Sequence, residues 1–193
     1  MKRIATLLLA AMLSACETFP TAPVNIPTHV QQLPTWLATG RIAIAAGGAG
    51  GSGSFTWRQD GENLQIALRG PLGAGGLEIR SDGHNMNLRD GSGELLDAEQ
   101  ASAQLSARLG VDLPLSSLRY WMLGMPSPSG EASVTDAAGS PPRVIEQSGW
   151  RVDFNRFREV AGFSLPERLT ASHADVRLRV IVDDWQVPAR SKP

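Results

Sequence analysis

Leu64-Gln65-Ile66-Ala67-Leu68-Arg69-Gly70-Pro71-Leu72-Gly73-Ala74-Gly75-Gly76-Leu77-Glu78-Ile79 is two alternating runs on either side of a glycine-rich break. Leu64, Ile66 and Leu68 alternate with Gln65, Ala67 and Arg69; Leu77 and Ile79 alternate with Glu78 and Arg80. A period of two sends one set of side chains to each face of a strand. The break, with Gly70-Pro71-Leu72-Gly73 at its head, reads as the tip of a hairpin. The same alternation recurs outward at Phe55 and Trp57, at Met86 and Leu88, at Trp150, Val152 and Phe154, and from Val176 to Val182. Asp60-Gly61, Asp82-Gly83, Asp90-Gly91 and Ser148-Gly149 punctuate it as turns. Strands with one buried and one wet face belong to antiparallel sheets. So many in one domain must curl or close.

Two amphipathic helices interrupt the strands. Asp97 to Leu109 opens with an acidic cap and Gln100 three residues on, a variant of the capping box, and Gly110 stops it. Ser116 or Ser117 is expected to cap a shorter helix in which Leu118, Trp121, Met122 and Met125 share a face, ended by Gly124 and Pro126. A curled sheet with an apolar concave face and two such helices is a container with a cover.

The N-terminus adds a compartment. Lys2-Arg3 precede an apolar run, Ile4 to Leu13, and small residues lead to the single cysteine, Cys16. This is the layout of a secretory signal, and the run is too short to span a bilayer, which takes about 20 residues. Leu13-Ser14-Ala15-Cys16 resembles the lipobox of bacterial lipoproteins, which implies a signal peptide over 1–15 and lipidation at Cys16. Several acyl chains there would hold the protein to a membrane, since each buried CH₂ contributes about 0.8 kcal/mol. Residues 16–33, broken by Pro20, Pro23 and Pro27, read as a tether; 34–187 as a single folded domain; 188–193 as a tail. Loss of Lys2 and Arg3 turns 18 basic and 19 acidic side chains into 16 and 19. Without a basic tract, charge alone suggests neither nucleic acid nor an anionic lipid surface as a partner.

Catalytic signals are missing together. His29, His84 and His173 stand far apart and in no metal-ligand spacing, so no metal site and no cofactor is expected. There is no G-x-S-x-G elbow. The glycine-rich Gly47 to Gly53 has neither the lysine nor the helix of a phosphate loop and reads as a flexible hairpin loop. Asp183-Asp184 reads as a strand-end turn, since neighbouring strand residues face opposite ways. The protein is not expected to be an enzyme.

The opening stretch, together with Leu113-Pro114-Leu115-Ser116-Ser117-Leu118-Arg119-Tyr120-Trp121-Met122-Leu123-Gly124-Met125-Pro126, Phe55-Thr56-Trp57-Arg58-Gln59, Trp150 and Asp184-Trp185-Gln186-Val187, resembles the LolB family of outer-membrane lipoprotein receptors over about Trp36 to Val187. That resemblance implies a mainly β fold with a few α-helices: a half-open antiparallel β-barrel with a helical lid over an apolar cavity. It implies a lipid-anchored protein on the outer membrane, facing the periplasm. Such a receptor accepts acylated lipoproteins from the soluble periplasmic carrier LolA and inserts them into the inner leaflet of the outer membrane. Its expected partners are that carrier, the acylated cargo and outer-membrane lipid, with no nucleic acid, and it is expected to act as a monomer. The alternative is a structural envelope lipoprotein that binds another envelope protein without acyl transfer.

The family's protruding loop, whose exposed leucine serves cargo insertion, matches Gly70-Pro71-Leu72-Gly73, so the resemblance gives Pro71 and Leu72 that role. Gly70 stands where an asparagine is usual. Read from the residues alone, Leu72 either packs beneath its loop or stands exposed at the tip. Trp57, Ile66, Leu68, Ile79, Trp121 and Met122 are the candidate lining of the acyl cavity, with plain core packing as the competing reading.

Overall fold

The computed structural model describes residues 33–71, 76–97, 99–100, 103, 114–135 and 143–188. The strands among them are β1 (Thr35–Ala46), β2 (Ala49–Asp60), β3 (Asn63–Arg69), β4 (Gly76–Ser81), β5 (Met86–Asp90), β6 (Leu95–Asp97), β7 (Ala132–Thr135), β8 (Val144–Gln147), β9 (Trp150–Val160), β10 (Phe163–His173) and β11 (Val176–Gln186). They form one sheet in the order β6-β5-β4-β3-β2-β1-β11-β10-β9-β8-β7. Every neighbouring pair is antiparallel. Two meanders thus join through their outermost chain segments, β1 against β11, and β6 and β7 remain as unjoined edges. This is the half-open sheet that one-faced strands produce when they curl without closing.

Register puts the apolar set on one face. Trp36, Ala38, Phe55, Trp57, Ile66, Ile79 and Leu88 are buried on one arm; Val152, Phe154, Leu169, Leu178, Val180 and Val182 are buried on the other. Near the start of β1, Trp36 packs against Trp57 at 5.4 Å and Trp185 at 5.3 Å between ring centroids. The indole nitrogens are not wasted: Trp57 Nε1 donates to Gln59 Oε1 (3.0 Å) and Trp185 Nε1 to the carbonyl of Pro166 (2.9 Å). Pro166 sits at an irregularity in the β9–β10 register, where a strand tolerates a residue without an N–H. Leu33, assigned to the tether by sequence, is buried in this core.

Three local expectations are corrected. Most of the glycine-rich stretch is strand: Gly47 and Gly48 make the turn with positive φ, while Gly50, Gly51 and Gly53 belong to β2, held in register by Ile42 to Ala45 of β1. Asp183 and Asp184 lie inside β11, not in a turn. A shift of register at Thr39/Gly40 leaves Asp183 without a backbone counterpart on β1, and both carboxylates are exposed. The short helix, α1 (Leu115–Met122), starts before the expected serine caps. Pro114 is its N-cap, with no side-chain cap bond, and Ser117 is buried inside it. Proline already carries a helix-compatible φ and has no N–H to satisfy, so the helix can begin there.

The end of α1 follows the sequence expectation. Gly124 N–H bonds the Trp121 carbonyl (2.9 Å) and Met125 N–H bonds the Tyr120 carbonyl (3.0 Å), a Schellman closure with glycine at φ 75°. At the expected first helix, Asp97 and Gln100 exchange backbone-to-side-chain bonds of 3.2 and 2.9 Å, the reciprocal capping box. Glu99 and Ala103 are helical, and the apolar positions expected on its face, Ala98, Ala101, Leu105 and Leu109, lie outside the described residues.

Two of the hairpin turns pair a non-glycine residue with glycine at positive φ: Ser148 (52°) with Gly149 (78°), and Ala161 (50°) with Gly162 (84°). Alanine is a poor occupant of that region, where its Cβ crowds the following carbonyl. Ala161→Asn is therefore expected to stabilise the protein by about 0.5–1 kcal/mol, raising Tm by roughly 1–4 °C. A thermal melt of the two proteins checks this, and an unchanged or lower Tm contradicts it.

Candidate functional site

Beyond the tryptophan cluster, toward the β1–β2 turn and the β3–β4 loop, the concave face does not fill. The space is an apolar hollow of about 270 Å³, bounded by β1, β2, β3, β4, β11 and α1. It is nearly twice the ~150 Å³ of a dry engineered cavity that admits benzene. Its cause lies in β2. Phe55 and Trp57 project inward, and the alternation would bring the next inward side chains at positions 53 and 51. Both are glycine, opposite Ile42 and Ile44 of β1. A Cβ at Gly51 would meet nothing within 4 Å, so the missing side chain there is empty space. At Gly53 a Cβ would run into the Arg69 carbonyl, so that glycine serves the approach of two backbones.

Trp57, Ile66, Leu68, Ile79 and Met122 line the hollow. Trp121 does not, which corrects its place among the lining candidates. One residue before Met122 on the helix, it turns toward β8 and β9, 6.1 Å from the Trp150 ring, and donates from Nε1 to Gln147 Oε1 at 3.2 Å. Sequence reading passed over Ile42, Ile44, Leu178, Val180, Leu115 and Leu118, which share the wall. Ile42 and Ile44 alternate as strand residues do, so a signal was present. What pairs β1 with both β2 and β11 is not local information.

The roof is fastened at one end. Gln147, buried on β8, accepts from Trp121 Nε1 and from Ser127 N–H (2.9 Å), and its amide donates to the carbonyls of Ser127 (2.8 Å) and Ser129 (3.1 Å). One fully satisfied amide thus ties the exit of α1 to the sheet. Leu115, Leu118 and Met122 of the same helix line the hollow.

Gly70 lines the hollow and Pro71, the next residue, is exposed. Leu72 lies outside the described residues, as does Cys16.

The polar residues on the wall of the hollow are Ser52, Ser54 and Arg69; the titratable groups with shifted pKa stand apart from it. The groups held away from their ordinary pKa include Asp82, drawn down to about 2 by the backbone N–H groups of Asn85 and His84. Others are Glu78, lowered by its bonds from Arg80 and Gln65, and Arg41 and Arg151, raised chiefly by Asp183 and Asp153. None of these lines the hollow. His84 sits in the β4–β5 turn, and His173, at the end of β10, packs 5.4 Å from the Trp150 ring. Among the described residues no group of three His, Cys, Asp or Glu could hold a metal ion. The arrangement can shelter an apolar chain, and among the described residues its wall holds no carboxylate, histidine or cysteine.

The comparisons agree with this geometry. The family model described as "Outer membrane lipoprotein LolB" matches residues 34–185. A LolB of Azoarcus sp. (strain BH72) is 32% identical over 177 residues, covering 92% of this chain and 91% of the relative. One from Halorhodospira halophila is 37% identical over 156 residues, covering 80% and 76%. One from Alkalilimnicola ehrlichii is 34% identical over 190 residues, covering 93% and 94%. Among solved structures, a LolA superfamily protein from Nitrosomonas europaea superposes with a TM-score of 0.50 at 11% identity, over 83% of this chain and 88% of that one, which is a likeness of fold. An open antiparallel sheet around an apolar hollow and a match across nearly the whole folded body lead to one assignment: the chain belongs to the LolB family of outer-membrane lipoproteins.

Proposed function

We propose that this protein is an outer-membrane receptor for lipoproteins. It takes acylated cargo from a soluble periplasmic carrier of the LolA kind and passes it to the inner leaflet of the membrane on which it is anchored. The observation that carries the reading is the hollow: about 270 Å³, walled by aliphatic and aromatic side chains and roofed by Leu115, Leu118 and Met122. Each acyl CH₂ moved from water into it contributes about 0.8 kcal/mol, so a slightly better fit than the carrier offers is enough to draw the cargo across. No bond is made or broken, and the protein acts as a monomer without catalysis. A purely structural envelope lipoprotein would gain by filling that space, since unfilled volume costs stability.

Residues 1–15 act as the signal peptide, Cys16 carries the lipid anchor, and the segment up to the folded body is the tether. Leu72, directly after the exposed Pro71 at the rim, is the residue that meets the bilayer when cargo leaves.

The mature chain with Cys16→Ala is expected to remain folded and to take acylated lipoprotein from the carrier in solution, because the hollow owes nothing to the anchor. Transfer is read by incubating it with carrier-bound cargo and separating the two proteins. Cargo that stays on the carrier under all ratios of receptor would refute the reading.

A further inference from the structure

Along the same rim lies a second depression of about 470 Å³, in which three arginines and two serines stand among apolar wall residues such as Ile42, Pro71 and Ile181. Arg69, Ser54 and Arg41 form one row across β3, β2 and β1; Ser52, Ala43 and Arg179 form the next across β2, β1 and β11. With adjacent strands about 4.8 Å apart, Arg69 and Arg41 rise some 10 Å from one another at the backbone. The residues between them are small, which makes the groove. Arg41 is engaged by Asp183 through two hydrogen bonds, Nε–Oδ2 at 3.2 Å and Nη2–Oδ1 at 2.9 Å. No ion pair is formed by Arg69 or Arg179 among the described residues, and both are exposed. Pro71 lines the groove at the rim, and Ile42, Ser52, Gly53, Ser54, Arg69 and Gly70 border both the groove and the hollow, whereas Arg41 and Arg179 border the groove alone.

We infer that this groove binds the phosphate of an anionic phospholipid headgroup. Two guanidiniums without an ion pair line it together with Ser52 and Ser54, and a third, held by Asp183, lines it beside them. Guanidinium matches phosphate oxygens with paired donors, and the hydroxyls supply further donors. The chain as a whole is slightly acidic, so this concentration of positive charge is local and is not an effect of net charge. Its place on the rim would hold the mouth of the hollow against the bilayer surface. The inference rests on the proposed delivery of cargo at that end, and it adds a headgroup site to it.

The test uses the mature chain with Cys16→Ala, so that the anchor does not mask weak binding, and phosphatidylglycerol-containing vesicles with phosphatidylcholine vesicles as the reference. Arg69→Gln with Arg179→Gln is expected to weaken binding to the anionic vesicles about 30-fold, from roughly 1 kcal/mol for each arginine near an anionic surface. Arg58→Gln with Arg143→Gln removes the same charge from exposed positions outside the groove and is expected to cost less than about threefold. Millimolar inorganic phosphate should leave vesicle binding unchanged. Equal losses in the two double variants, or competition by inorganic phosphate, would overturn the site, the second by making it one for free anions. So would a groove variant that keeps its vesicle binding but no longer receives cargo from the carrier, which would mark a protein-docking face. Binding of a fatty-acyl probe, measured on the same proteins, separates the two proposals. Its absence in the parent chain sinks the hollow as an acyl site, whereas its survival in Arg179→Gln alone, a position outside the wall of the hollow, beside vesicle binding weakened about fivefold supports the headgroup site.

Discussion

Gly51→Leu is expected to weaken acyl binding roughly 50-fold while leaving the fold intact. Position 51 is on the inward face of β2, opposite Ile44, and a Cβ there meets nothing within 4 Å. A leucine side chain placed there would occupy the hollow that the glycine leaves open. Displacing about three methylenes of a bound chain, at ~0.8 kcal/mol each, lowers affinity roughly 50-fold. The fold should not suffer, because glycine weakens a strand interior and a leucine adds packing. The measurement is binding of a fluorescent fatty-acyl probe together with a thermal melt. Thr56→Leu, an added leucine on the outer face of the same strand, serves as the comparison and should bind as the parent does. If Gly51→Leu binds the probe as well as the parent at unchanged Tm, the hollow is not where acyl chains go.

Leu72→Glu is expected to separate acceptance from delivery. The described residues that wall the hollow are all kept in this variant, so cargo should still leave the carrier for the receptor at the parent rate. Release into lipid should fall by tenfold or more, since a carboxylate resists entry into the acyl region by about 2–3 kcal/mol where a leucine favours it. The checking assay follows one cargo through both steps, first onto the receptor and then into vesicles. Equal delivery by the variant would remove Leu72 from the mechanism, and a simultaneous loss of acceptance would show that the residue serves the hollow.

The two variants probe features that differ in how far sequence reveals them. The alternations at Leu64 to Leu68, Leu77 to Ile79, Trp150 to Phe154 and Val176 to Val182 each identified a strand, because the period of two is a property of the local chain. β10 escaped this reading: Pro166, Glu167 and Arg168 break its pattern where the register shifts, and only pairing with β9 and β11 makes that segment a strand. The glycines of β2 misled for a related reason. Glycine lowers local strand preference, and its role as vacant wall is visible only when Ile42 and Ile44 stand across from it. Trp121 and Met122 show the limit most sharply. Adjacent on one apolar helix, they part company, one to Gln147 and Trp150, the other to the hollow.

Sequence by itself determined the alphabet of this protein: one-faced strands, the turns between them, the glycine that ends α1, and the family resemblance carried by two long segments. Those are set within a few residues of chain, by side-chain direction and backbone preference. Tertiary structure alone decided which apolar residues became solid core and which became wall. It also decided that Arg41, Arg69 and Arg179, scattered through an acidic chain with no basic tract, meet on one outer rim. The reason is register: β1 joins β2 to β11, and hydrogen bonding between strands distant in sequence fixes what stands beside what.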